Sequence, residues 1–168
     1  MTRLRRQRPF RRVSLGLALF AAALMAGLWH EASVQAATSE MIVVDREAGL
    51  AIRGFDPVSY FTEGKALAGR EDVEFEHGGA AWRFSSEENR TAFAKHPESY
   101  IPSYGGHDPV ALGRGNARPG NPDFWAIHDK KLFMFDSEEA RNEFNINPKV
   151  AIFLAEAAWP VLRETLAP

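Results

Sequence analysis

The chain has 168 residues, enough for one ordinary domain, with 20 Lys and Arg against 22 Asp and Glu, a formal charge of −2. Six of the arginines and only one acid, Glu31, fall in residues 1–36, so from Ala37 onward 14 basic and 21 acidic side chains remain, a formal charge of −7. An acidic body lacks the electrostatic footprint of a nucleic-acid binder, and the absence of cysteine excludes disulfides, thiolate zinc sites, iron–sulfur clusters and thiol catalysis within the chain.

Met1 to Arg12 is arginine-rich, Val13 to Trp29 carries no charge, and Val34-Gln35-Ala36 sets small or apolar residues at the −3 and −1 positions of a cleavage site. These are the three regions of a secretory signal peptide, with the cut expected after Ala36 and a periplasmic or secreted destination. Left uncleaved, the apolar run of about 17 residues is at the short limit for a spanning helix and would be the chain's route to a membrane. Arg11-Arg12 raises the twin-arginine export route, although Phe10 stands where Ser or Thr is usual and Ser14 where Phe is usual.

Residues 37–50 read as a lead-in in which Met41 to Val44 is β-prone. Asp56-Pro57 supplies an N-cap and a first helical residue, and Gly64 stops what can only be a short helix. Val73 to Glu76 alternates as a strand, Gly78-Gly79 turns the chain, and Trp82 to Phe84 alternates again. Ser85-x-x-Glu88 is a capping box that begins a helix carrying Ala92 and Phe93 inward, with Pro97 beyond its end. After the Tyr104-Gly105-Gly106 turn, Asp108-Pro109-Val110 repeats the Asp56-Pro57-Val58 device, and Gly113 to Pro122 is loop. Trp125 to His128 and Leu132 to Phe135 form a second hairpin closed by Asp129-Lys130, and Asp136-x-x-Glu139 is a second capping box. Val150 to Ala158 is an apolar helix that Trp159-Pro160 ends or kinks.

Much of this occurs twice. A shift of 51 residues superimposes His77, Phe84, Ser86, Glu87, Glu88, Arg90, Phe93 and Pro97 on His128, Phe135, Ser137, Glu138, Glu139, Arg141, Phe144 and Pro148. One supersecondary unit used twice, over about 73–97 and 124–148, is expected. The fold class is therefore α+β: a small antiparallel sheet from two hairpin-helix (ββα) units, short connecting helices and a C-terminal helix.

RGFDPVSYF (53–61), WRFSSEENRTAF (82–93), Pro97, Tyr100 and YGG (104–106), and more loosely FWAIHDKKLFMF (124–135), together resemble the YHS domain family. The similarity is greatest to the exported bacterial single-domain members and covers residues 51–168. The resemblance implies metal binding, without an established reaction for the exported group. Many of those relatives carry Cys or selenocysteine where Asp108 stands, so any thiol or selenol chemistry of the group does not carry over.

What remains for a site is imidazole and carboxylate. His107 and Asp108 sit on the Gly-Gly turn, and His77 and His128 end equivalent hairpins, so a metal shared by His77, His107, His128 and Asp108 would have to be assembled by tertiary folding. Each has a plainer reading: Asp108 as the cap of the Pro109 helix, His77 and His128 as turn residues. His96, before Pro97, suits a helix C-terminus. Tyr60, Tyr100, Tyr104, Trp82, Trp125 and Trp159 line a pocket or form core. No Gly-x-Ser-x-Gly elbow or phosphate loop is present, and no nucleophile–base pair can be placed. The expected function is a small exported binding protein that handles a divalent transition metal, Cu(II) first and Zn(II) next. The alternative is a metal-free interaction or accessory module with another exported protein as partner, and the third reading is an enzyme of unknown reaction.

Overall fold

The computed structural model describes residues 41–45 and 47–166, which belong to one compact unit, Ala37–Pro168. The signal peptide expected over residues 1–36 and its cleavage site lie outside the described residues.

The two hairpin-helix units are present and alike. In the first half, β1 (Arg70–His77) pairs antiparallel with β2 (Ala80–Phe84) and is followed by α2 (Glu87–Lys95) and α3 (Pro97–Tyr100); a short helix, α1 (Ser59–Thr62), precedes them. In the second, α4 (Pro109–Gly113) precedes β3 (Asn121–His128), β4 (Lys131–Phe135), α5 (Glu138–Ile146) and α6 (Pro148–Arg163). The hairpins form two separate two-stranded sheets rather than one small sheet. Alternation within a strand fixes which face is buried, but not whether two hairpins join edge to edge. Both tight turns have positive φ at both central residues, Gly78 and Gly79 in one and Asp129 and Lys130 in the other, the geometry that suits the twist of a hairpin.

The duplication extends well beyond the hairpins. Gly69 N–H donates to Gly54 O at 2.8 Å and Gly120 N–H to Gly106 O at 2.9 Å; Asp56 N–H donates to Leu67 O and Asp108 N–H to Arg118 O. The Ile52–Gly54 turn, with Ile52 and Arg53 at φ 43° and 55°, matches Tyr104–Gly106, with Tyr104 and Gly105 at φ 56° and 64°. The repeated unit is thus a left-handed turn, an Asp-Pro turn leading into a short helix, a hairpin, a helix and a Pro-initiated helix. Asp108 caps its helix directly, whereas the first-half helix begins only at Ser59, after an Asp56-Pro57-Val58 turn. Phe55 and His107 occupy the same place after the turn, bridged to Ala68 and to Pro119.

The capping residues differ from the expected boxes by one position. Ser86 accepts from Asn89 N–H and Ser137 from Ala140 N–H, so these are the N-caps, while Ser85 and Asp136 are held by the buried aspartates described below. The C-terminal helix also runs through Pro160 to Arg163 instead of ending there. Proline removes one backbone donor, but Pro160 and Glu156 are both exposed, so the carbonyl it strands can be hydrated.

One core joins the halves. Trp82, Phe84, Phe93 and Tyr60 of the first half pack with Leu132 and Met134 of the second. A second cluster, Val110, Phe133, Phe135, Ala140 and Phe144, lies within the second half, with Tyr104 and Ile152 against it. Phe93 and Phe144 are both fully buried at equivalent positions, as are Trp82 and Phe133. The lead-in segment ties the halves together: Val43 N–H donates to Gly105 O at 2.8 Å and Val43 O accepts from Ile52 N–H at 3.0 Å.

Candidate functional site

Each half is organised by a fully buried aspartate. Asp56 Oδ1 accepts from Val58 N–H at 2.8 Å. Its Oδ2 accepts from Ser85 N–H at 2.8 Å, Ser85 Oγ–H at 2.6 Å and Asn89 Nδ2–H at 2.7 Å. A carboxylate with this many donors repays its desolvation without a counter-ion. Asp108 repeats the plan with fewer donors: Oδ1 accepts from Val110 N–H at 2.7 Å and Ala111 N–H at 3.2 Å, and Oδ2 from Asp136 N–H at 2.9 Å. Where the first half has Ser85 and Asn89, the second has Asp136 and Ala140. Burial therefore raises the pKa of Asp108, and the three backbone donors offset only part of that. Burial works in the same sense on Asp136, but hydrogen bonding to Arg118, 3.0 Å away, and to Ser137 outweighs it and holds its carboxyl below the usual range. Asp108 is thus engaged as the α4 cap and as the tether of the following hairpin-helix junction.

His107 is buried, 1% exposed, directly after the Gly-Gly turn. Gly105 is required there: its φ is +64°, and a Cβ would collide with the Met41 carbonyl. His107 Nδ1 lies 2.9 Å from Tyr104 O. A carbonyl oxygen only accepts, so the proton sits on Nδ1 and Nε2 carries the lone pair of the neutral ring. Burial lowers the His107 pKa, with the Tyr104 hydrogen bond opposing it in part. The indole of Trp159, from α6, packs tilted against the imidazole with ring centroids 5.6 Å apart, and edge-on against Tyr104 at 5.8 Å. Burial pushes the Tyr104 hydroxyl up to about 12.

The other two histidines keep the symmetry read from the sequence and use it for packing. His77 stands edge-on to Phe93 at 6.0 Å and 87°, and His128 edge-on to Phe144 at 6.2 Å and 88°. They belong to different hairpins, each against its own helix. His128 Nε2 is buried with no hydrogen-bond partner, since Asp129 Oδ2, 3.4 Å away, is poorly aligned for one. His96 is exposed beside Glu98. Among the described residues, no three His, Asp or Glu side chains are grouped so that they could hold a metal ion. His77, His107, His128 and Asp108 are therefore not gathered into one coordination sphere.

An open groove of about 500 Å³ runs beside this region, lined by Tyr104, His128, Phe133 and Trp159 with Glu98 and Glu156 at its edge. Of the aromatic residues singled out in the sequence, Tyr60 and Trp82 are core, with Tyr60 Oη–H donating to Pro122 O at 3.1 Å across the two halves. The least expected feature is on α6. Its inner face carries Ala151, Ile152, Ala155 and Trp159, and Ala155 is fully buried. Its outer face exposes Val150 (50%), Phe153 (68%), Leu154 (46%) and Val161 (69%), continued by Ile146 (84%) at the end of α5. The signal was in the spacing 150, 153, 154, 157, 161, a second apolar stripe on a helix that needs one to pack. No protein-family model, curated protein or solved structure matches this chain.

Proposed function

We propose that this chain is an exported YHS-like interaction module that engages a protein partner through the outer face of α6. The observation that carries the reading is the row of large apolar side chains left in water, Val150, Phe153, Leu154 and Val161, on a helix whose opposite face is already packed. Burying such a side chain contributes about 1.5–3 kcal/mol, so a contiguous row of four is a binding face rather than scattered surface. A helix presenting anchors at these spacings fits a helix–groove or helix–helix contact. The test is a photo-crosslinking residue at Phe153 in the exported protein, with Glu139 as a distant control position. Crosslinks at 153 that vanish in a Val161→Ser background support the reading. Equal crosslinking at both positions, or none at 153, removes it.

Metal handling is the second reading, and the His107 tautomer favours it. A histidine held neutral, with Nδ1–H on a backbone carbonyl, presents Nε2 as metal-ligating imidazoles do. Calorimetric titration with Cu(II) and Zn(II) should then show a loss above tenfold in His107→Ala, about 1.4 kcal/mol or more. Equal affinity in the two proteins would remove His107 as a ligand.

A further inference from the structure

We infer that the partner on the outer face of α6 is a second copy of this chain, packed with the two α6 helices antiparallel about Ala157. The inference rests on reading that face as an interaction surface and names its occupant. Three observations favour a second copy. First, Ala157 is an exposed small residue midway between Phe153 and Val161 on the stripe. Phe153 lies four residues before Ala157 and Val161 four after, so a two-fold axis there sets each Phe153 against the other copy's Val161 and lets the backbones approach at the centre. Second, the charges beside the stripe complement each other in this orientation. Lys149 and Glu164, both exposed, lie near opposite ends of the helix, so antiparallel packing brings each lysine to the other copy's glutamate twice over. A parallel pair would set Lys149 beside Lys149 and Glu164 beside Glu164. Third, the surroundings do not suit an anionic lipid surface. Glu156 and Glu164 interleave with Lys149 and Arg163 along the helix, and the chain from Ala37 onward carries a formal charge of −7.

That same charge sets the salt response. Two acidic bodies repel at long range, while the helix contact is mainly apolar, so added salt tightens this dimer by screening the repulsion. Association with a basic heterologous partner would weaken with salt instead.

The experiment is sedimentation equilibrium on residues 37–168, the unit that closes its own core, over a range of concentrations in 50 and 300 mM salt. The expected result is a concentration-dependent rise towards twice the monomer mass, tighter at the higher salt. Phe153→Glu should be monomeric throughout with an unchanged circular-dichroism spectrum, whereas Ile127→Ser, at an exposed apolar residue on β3, should associate as the wild type does. Lys149→Glu should weaken association about fivefold, and the double exchange Lys149→Glu with Glu164→Lys should restore it, because the antiparallel pairing is then re-formed with the signs reversed. A wild type that stays monomeric, or a Phe153→Glu variant that still dimerises, overturns the inference. Failure of the double exchange to restore association overturns the antiparallel arrangement. If the wild type is monomeric and position 153 crosslinks to a different protein, the second copy is ruled out while the interaction reading stands. If position 153 crosslinks to nothing either, both fall.

Discussion

Phe55 and His107 do the same geometric job in the two halves, each following a left-handed turn and each bridged to the loop before a hairpin. One is an apolar ring and the other a titratable one, and the difference has a thermodynamic consequence. Burial holds the His107 pKa below its usual value of 6.5, so the unfolded chain takes up a proton in a range where the folded protein does not. A depressed histidine pKa contributes stability above the unfolded pKa and loses it as pH falls from there towards the folded pKa. Melting temperature should therefore drop between pH 7.5 and 5 in the wild type. In His107→Phe, which installs the residue used by the first half, that drop should shrink. Overpacking by the larger ring costs about 1–3 kcal/mol at every pH, so the readout is the slope and not the absolute stability. A variant with the wild-type slope would mean that another group sets the acid response. The position of His107 beside Asp108 was legible in the sequence, but its enclosure was not. Enclosure depends on Trp159, which lies 52 residues further along the chain and arrives on a different helix.

At the scale of elements, the hairpin-helix unit is the object that the 51-residue shift detects, because capping serines, first-turn acids and the inward phenylalanine recur together. Its energetic centre is the phenylalanine of each helix. Phe93 packs against Phe75, Trp82 and Phe84, and Phe144 against Phe133 and Phe135. Phe93→Ala and Phe144→Ala should each cost about 3–5 kcal/mol, measured by urea unfolding. Losses of similar size are expected because both rings are fully buried, the larger at Phe93, which meets more rings. A loss below about 1 kcal/mol at either position would show that its aromatic cluster collapses to fill the space. Element types were legible because period-two and period-3.6 patterns are local. Three things were not. The caps fell one residue later, because Ser85 is recruited by Asp56, 29 residues away, and Asp136 is held by Asp108 in the same manner. The last helix outran Pro160, and the carbonyl that this proline strands belongs to an exposed residue, Glu156, within reach of water. The hairpins stayed apart because pairing between strands of different units has no local signature. The four proposed ligands were individually identifiable, but their separation follows from the same fact: two belong to separate hairpins and one caps a helix.

The molecule as a whole is a duplication that has not remained two independent parts. Leu132 and Met134 of the second hairpin complete the core around Trp82 and Phe93, Tyr60 and Trp125 meet edge-on at 5.1 Å, and Val43 hydrogen-bonds to both turns. In a repeat array, each unit contributes its own stability and an interface term, and cooperativity depends on which dominates. Here the first half's core has residues of the second half inside it, so the interface is part of the core. Residues 37–101 alone should therefore be unfolded at 25 °C by near-ultraviolet circular dichroism and amide exchange, because removing Leu132, Met134 and Trp125 opens that core to water. The chain from Ala37 onward should melt in one transition, with the calorimetric enthalpy equal to the van't Hoff value. Two resolved transitions, or a folded first half on its own, would place the domain boundary between the repeats and make each unit the folding entity.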